Sequence, residues 1–464
     1  MTRTSDRRAR IPLAAAAAVS LVLLTPGTSG AATGTPTVPT DLYNSLRACS
    51  TDPGAPLFAN GSQELTVEAI AGSTDPSTTR LTAQFRYWPV TDPAQAATVD
   101  HPYAVPGLEA SARLPQLADA TDYAWQARTI DPATGSASDW SASCYVTTDN
   151  TAPAAAPAVS SPNYPEGQWN PGGTPLEFRF DPNGVADIAG YQFSWTGTFP
   201  VSGADIGEHG IPAYHGPYED PQYGVRAENP GGGVTVRLVP PAGWSSGPVR
   251  LLVRALDRAG NLSQTTTYST YIRTTSPTVT ELSPAPAFGE PVGLRFTPDP
   301  DVRAAGPVAS YTVYDTSTYR TTVVPAGPDG TAETTLLLNS PVGDQLQITS
   351  TSANGWISSA ATWGGYLDTT PTITSTDFPE YEAAGAVGTP GTFHLAPKID
   401  GGRIASYTYS LGWNTDQVTV PAGPQGEADI SYTPTASGWF DLEVYATTTD
   451  GTQLTTGTYT FVVN

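Results

Sequence analysis

Lysine is almost absent from this chain, with Lys398 the only one in 464 residues. Asp and Glu number 43 against 21 Lys and Arg, for a net charge of −22. Arg3, Arg7, Arg8, Arg10 and Asp6 all fall within the first 31 residues, so the remainder carries −25. A surface so poor in cations cannot neutralise a phosphate backbone, which excludes nucleic acid as a partner. Anionic membrane surfaces repel it for the same reason. Cysteine is nearly as scarce. Cys49 and Cys144 are the whole complement, with no CxxC and no Cys/His cluster, so zinc ribbons are excluded too. Helical patterning is the third absence: past residue 31, no dozen residues carry a convincing 3.6-residue apolar repeat.

What is present is a secretory start and an all-β body. A basic stretch through Arg10, an apolar run from Ile11 to Leu24 and small residues at Ser29–Ala32 form a signal peptide over 1–31, cut after Ala31 or Ala32. Its apolar run is shorter than the roughly 20 residues a spanning helix needs, so no membrane insertion is expected. Arg7-Arg8 suits a twin-arginine motif poorly, since Asp6 and Arg10 flank it, and general secretion fits better. Export into an oxidising medium makes Cys49–Cys144 a disulfide. Gly and Pro stand at 45 each, and with abundant Thr, Ser, Val and Tyr they describe many short strands joined by turns. Aromatic content of 9% is too high for a disordered tail. The acidity then serves solubility.

Internal repetition organises the body. Val308-Ala309-Ser310-Tyr311-Thr312 recurs as Ile404-Ala405-Ser406-Tyr407-Thr408, and Val324-Pro325-Ala326-Gly327 recurs as Val420-Pro421-Ala422-Gly423. Asn354-Gly355 matches Asp450-Gly451, and all three pairs keep one offset of 96 residues. A repeat of that size suits an immunoglobulin-like sandwich. At the same offset Asp368 maps onto Asn464, so the chain is expected to stop where a domain stops. A looser copy lies earlier, with Ile188-Ala189-Gly190-Tyr191 for the Ala-Ser-Tyr strand and Val239-Pro240-Pro241-Ala242-Gly243 for the turn. In the first unit, strands are expected at Glu64–Ala71, Leu81–Val90, Tyr123–Ile130 and Ser143–Thr148, with Trp88 and Trp125 in the core. Leu117 to Tyr123 looks like the tyrosine corner of fibronectin type III domains.

These segments, with Asp257-Arg258-Ala259-Gly260-Asn261 and the joint Asp149-Asn150-Thr151-Ala152-Pro153, resemble tandem bacterial Ig-like and fibronectin type III-like repeats of secreted actinobacterial proteins. The resemblance spans nearly all of residues 42–464 and implies β-sandwich domains at 42–149, 150–275, 276–371 and 372–464. Proline-bearing joints at Asp149, Thr274 and Asp368 are expected to stiffen the linkers and hold the domains apart in an elongated monomer.

Candidate sites are few. Gly243-Trp244-Ser245-Ser246-Gly247 matches a hydrolase elbow pattern, but that motif needs a strand-to-helix turn and here a strand, Val249–Ala255, follows. Asp181-Pro182-Asn183-Gly184 and Asp299-Pro300-Asp301 are oxygen-rich turns, each with too few ligands for calcium by itself. Trp140, Trp169, Trp356, Trp363 and Trp439 are core residues or surface platforms. The segment 201–233 is unusual: it gathers His209, Tyr214, His215, Tyr218 and Tyr223 among carboxylates, reading as an insertion into the second unit. Long loops on rigid sandwiches carry function, so Tyr214, His215, Tyr218 and Tyr223 are the expected contact residues. That segment should then be removable between Ala204 and Asn229 with little loss of stability. No catalytic residue, metal or cofactor is expected. The expected role is a secreted, non-catalytic interaction or structural protein of the cell surface or extracellular space, meeting an extracellular polymer or protein. An accessory carbohydrate-binding protein is the alternative, and a hydrolase comes behind both. No sorting motif or apolar tail precedes Asn464, so release or noncovalent retention at the envelope is expected.

Overall fold

The computed structural model describes residues 34–464 apart from 63–64, 242, 283–286 and 413–415. The expected signal peptide and cleavage site, Glu64 and Ala242 lie outside the described residues. Strands dominate, as the alternating patterns require. Along Leu81–Pro89, for example, Leu81, Ala83 and Phe85 point inward while Thr82 and Gln84 do not. The sheets fall into four successive pairs along the chain.

The first pair joins a four-stranded sheet (Arg47–Ala48, Pro36–Asn44, Thr66–Ser73, Glu109–Arg113) to a five-stranded one (Leu57–Ala59, Cys144–Thr148, Asp122–Ile130, Leu81–Pro89, Ala97–Ala104). Its first strand begins at Pro36, six residues before the expected boundary, because 36–44 pairs with Thr66–Ser73. The core holds Phe85 against Trp125 with ring centroids 5.9 Å apart, and each such side chain contributes about 2–3 kcal/mol by burial. Cys49 and Cys144 are bonded, with Cα atoms 5.5 Å apart. On the chain-entropy model a loop this long adds about 4–5 kcal/mol. The Tyr123 hydroxyl accepts from Ala118 N–H at 3.1 Å, which makes the tyrosine corner. Trp88, expected in the core, is only half-buried. Arg86 stacks between it and Trp140, at 5.3 and 4.4 Å from the two rings, and Arg128 covers Trp140 at 4.6 Å. These cations keep both indoles on the outer face.

The later three pairs share one plan: a three-stranded sheet packed on a four- or five-stranded sheet. The 96-residue repeat has a physical basis in it. Tyr311 donates to Gly330 O and Tyr407 to Gly426 O, both at 2.6 Å from fully buried rings. In both repeats the glycine sits at positive φ, where a side chain would be strained. A register shift recurs at Val308/Ser310 and Ile404/Ser406, and again at Ile188/Gly190. The structural copy in the second unit is displaced from the one read in the sequence. Tyr191 pairs with Val225 as Tyr311 pairs with Val324, and its hydroxyl donates to Gly232 O at 2.8 Å. Val225 and Gly232 therefore correspond to Val324 and Gly330, and Val239 is not the counterpart of Val324. The shared Val-Pro letters at 239–240 are coincidental in register.

That correspondence redraws the insertion. Residues 203–215 form a hairpin, Gly203–Ile206 against Pro212–His215, outside the main sheets. Gly224–Arg226, by contrast, is the edge strand of the five-stranded sheet and hydrogen-bonds Ile188–Ser194. Tyr218 packs so closely on Gly190 that a Cβ there would stand 2.6 Å from its ring.

The joints are docked rather than bare. At the second, Trp356 is fully buried beside Gly172, Asn354 Nδ2 donates to Gly173 O at 2.8 Å, and Thr275 N–H donates to Ser359 Oγ at 3.0 Å. Gly173 lies against the short helix Pro300–Ala305, where a Cβ would meet Val302 Cα at 2.8 Å. Asp299 caps that helix, so its oxygen-rich turn is spent on backbone N–H groups. At the third, Arg403 donates to Gly289 O at 2.9 Å.

Excising 204–229, expected from sequence to be harmless, removes an edge strand and the Tyr218 side chain. That variant should melt at least about 5 °C lower. Replacing only 205–212 with a short turn should hold the midpoint within about 2 °C. Scanning calorimetry of both variants checks the pair of values.

Candidate functional site: the cleft between the first two sandwiches

The first joint carries a cleft of about 740 Å³. Ser45–Arg47, Ala59, Asn60 and Leu65 of the first unit wall one side. The hairpin root (Tyr214, Gly216–Tyr218), Arg226 and the turn Leu256–Leu262 wall the other. Clefts of this size between domains are the default location for a ligand.

Asn261 holds the two walls together. Its Nδ2 donates to Asp149 O and to Asp257 Oδ2, both at 2.9 Å. Its Oδ1 accepts from Asn60 Nδ2 of the first unit at 2.5 Å. Arg258 from the same turn stacks on Phe58 of the first unit at 3.9 Å. The hairpin reaches across as well: a Cβ on Gly210 would stand 3.3 Å from Glu109 Cβ.

The charges are unevenly placed. Asp257 is buried, and its carboxylate oxygens lie within 4.8 Å of those of Asp149 and Asp187. Burial first, then hydrogen bonds from Asn261 in opposition and the nearby Asp149 charge, set its pKa at about 6. Arg47, Arg226 and Arg258 line the cleft, none in an ion pair among the described residues. Arg47 donates to Phe58 O, and its burial lowers its pKa while Tyr214 raises it. Arg226 covers the Tyr218 ring at 4.9 Å. Burial pushes the Tyr218 phenol well above the ordinary tyrosine range.

Of the four contact residues expected from sequence, the fold brings two to the cleft, Tyr214 and Tyr218. His215 does not line it. Its ring bridges Asp205 at 2.9 Å and Glu219 at 3.0 Å, ties the hairpin together, and has its pKa raised by those two bonds. Tyr223 is exposed outside the cleft and accepts Phe193 N–H through its backbone. Sequence reasoning missed Arg47, Asn60 and Arg258. Arg258 and Asn261 stand in the motif Asp257–Asn261, whose asparagine was the available signal. Nothing in the letters joins Arg47 to a turn more than 200 residues away.

The other candidates resolve as follows. Ser245 is fully buried with its hydroxyl unpaired, and the strand Gly247–Asp257 follows it instead of a helix. The Asp181 turn closes on Asn183 N–H at 3.1 Å. Trp356 and Trp363 are buried, whereas Trp169 and Trp439 are 62% and 68% exposed.

Glu68 on the first unit's four-stranded sheet is 5% exposed, and its Oε2 has no partner. Burial, reinforced by Glu109 and opposed by Leu46 N–H, raises its pKa to about 7. Between about pH 4.5 and 7 the folded chain holds a proton that the unfolded chain has released, so stability falls as pH rises through that window. The loss from Glu68 should reach up to about 3 kcal/mol by pH 8. Denaturant melts at pH 5 and pH 8 check this, and Glu68→Gln should flatten most of the slope.

No family model matches this chain, and no curated protein matches it. Solved structures align over long stretches at low identity. A tetra-tandem repeat from the extending region of a large adhesion protein covers 93% of this chain and 99% of its own, at 15% identity and TM-score 0.21. The chicken CNTN1 FN1–FN3 domains cover 67% of this chain and 99% of their own, at 11% identity and TM-score 0.24. The fibronectin(III)-like modules of Clostridium thermocellum CbhA cover 40% and 94%, at 16% identity and TM-score 0.16.

Proposed function

We propose that this chain is a secreted, non-catalytic interaction protein that works outside the cell, with recognition centred on the cleft between its first two sandwiches. The observation that carries the reading is the make-up of that cleft. Two units contribute walls, Asn261 bonds across them, and three arginines without carboxylate partners among the described residues line it. The third and fourth units then act as a stem. They repeat one plan at a 96-residue spacing without the accessory hairpin, and docked joints suit the display of a site at a distance. The Cys49–Cys144 bond fits an oxidising compartment.

Carbohydrate binding on a flat face is the second reading. Trp169 and Tyr271 support it, with ring centroids 5.2 Å apart at the edge of the second unit's five-stranded sheet and the indole mostly exposed. Such an aromatic pair offers area for a sugar ring at small entropic cost.

Pull-down of the secreted chain on purified cell wall, chitin and cellulose separates these readings. Retention on one of them should fall at least about tenfold, or about 1.4 kcal/mol, in Tyr214→Ala, without release of soluble fragments. Retention lost in Trp169→Ala but kept in Tyr214→Ala would move recognition to the sheet face. Release of fragments would make the chain a hydrolase.

A further inference from the structure

We infer that the cleft between the first two sandwiches takes a sugar acid, its carboxylate on the arginines that line it and its hydroxyls on Asp257. This rests on the proposal that the cleft is the recognition site, and it names the ligand class.

The argument begins with the distribution of charge. From residue 33 onward the chain has 17 cationic side chains against 42 acidic ones, since Arg3, Arg7, Arg8, Arg10 and Asp6 precede that point. The arginines divide into those with a carboxylate close by and those without. Arg179, Arg237, Arg273, Arg295 and Arg403 each have one within 4 Å. Arg47, Arg226 and Arg258 line one cleft, and none has such a partner among the described residues. Two of them lie over rings, Arg226 on Tyr218 and Arg258 on Phe58. A guanidinium held over a ring by cation–π attraction keeps N–H donors for a planar two-oxygen acceptor. A carboxylate has that shape.

The acidic groups add a second requirement. Asp257 lines the cleft, and one of its carboxylate oxygens lies within 4.8 Å of an oxygen of Asp149 and of Asp187. Each oxygen of Asp257 accepts from Asn261, and a carboxylate oxygen has capacity for more than one donor. A ligand made only of acid groups would be repelled there, whereas hydroxyl groups can donate to it. The amides of Asn60 and Asn150 are already committed within the protein, Asn60 to Asn261 and Ser62, Asn150 to Gly61 and Leu117. They serve as struts and add little selectivity. The free chemistry of the cleft is therefore cationic at the three arginines and hydroxyl-accepting at Asp257. One carboxylate on a polyhydroxyl frame meets both.

Long-range electrostatics limits the occupant further. The rest of the chain is strongly negative and would repel a polyanion over about a Debye length, roughly 10 Å at 0.1 M salt. The ligand therefore carries few charges, either as a free sugar acid or as the acidic end of an otherwise neutral glycan.

Isothermal titration of the secreted chain with D-glucuronate, D-glucose, inorganic phosphate and a neutral oligosaccharide ending in glucuronate tests this. Glucuronate should bind at least tenfold more tightly than glucose or phosphate. Arg226→Gln and Arg258→Gln are exposed substitutions that should leave the melting temperature in place, and each should weaken glucuronate at least tenfold. A tighter fit for the glucuronate-ended oligosaccharide than for the free acid would assign the glycan end, and equal affinity would assign the free acid. Glucose equal to glucuronate, phosphate preferred over it, or arginine variants that bind unchanged would each overturn the inference. If Tyr214→Ala still abolishes retention on a polymer while glucuronate fails to bind or to compete, the cleft remains the recognition site and only the ligand class is wrong.

Discussion

Asn261 is the constraint on which the first half of this molecule turns. One side chain closes its own turn on Asp257, donates to the joint at Asp149 O and accepts from Asn60 of the preceding sandwich. A side chain in two units at once converts a flexible joint into a set relation. Its buried location adds cost to any opening, because an unpaired buried amide loses about 1–3 kcal/mol. The same turn recurs in the third unit with Asn354 and Trp356 facing Gly173 and Gly172. Docking through this turn is thus a property of the repeat, expressed at the first joint by hydrogen bonds and at the second by an indole.

A cleft follows from that arrangement. Two convex sandwiches held at one edge leave a space beside the contact, and the 203–215 hairpin reaches over it from the second unit. His215, between Asp205 and Glu219, stiffens the hairpin without facing the cleft. Acidic groups are also packed against this joint, where Asp149, Asp187 and Asp257 crowd together. Burial of Asp257 and the nearby Asp149 charge raise its pKa, bonds from Asn261 hold it down, and the balance lies at about 6. Arg47, Arg226 and Arg258 line the same cleft as Asp257, so both signs of charge border one cavity.

Much of the fold was legible because β-sandwiches advertise themselves through local rules. Alternation in Leu81–Pro89, the corner at Tyr123 and the Ala-Ser-Tyr strands at Tyr311 and Tyr407 all express contacts made within a unit. Short or polar strands were harder to read. Pro36–Asn44 carries exposed Val38, Thr40 and Asp41 and register shifts, and Ala97–Ala104 is exposed over most of its length, so neither shows clean alternation. Trp88 was misplaced because an arginine can hold an indole on a surface as firmly as a core can. The Val239–Gly243 match failed because sequence likeness ignores pairing: Val225 is the residue that faces Tyr191. At the site, Tyr214 and Tyr218 were visible as part of an unusual segment. Arg47 and Asn60 were not, since the opposite wall of the cleft comes from another domain.

The central claim is that the first two sandwiches form one body through Asn261. Pulsed electron spin resonance on nitroxides at Tyr103 and Arg237, exposed positions on the two units, measures it directly. The account predicts a single narrow distance distribution in the intact chain and a broad one in Asn261→Ala. A broad distribution in the intact chain, or one that Asn261→Ala leaves unchanged, would contradict it.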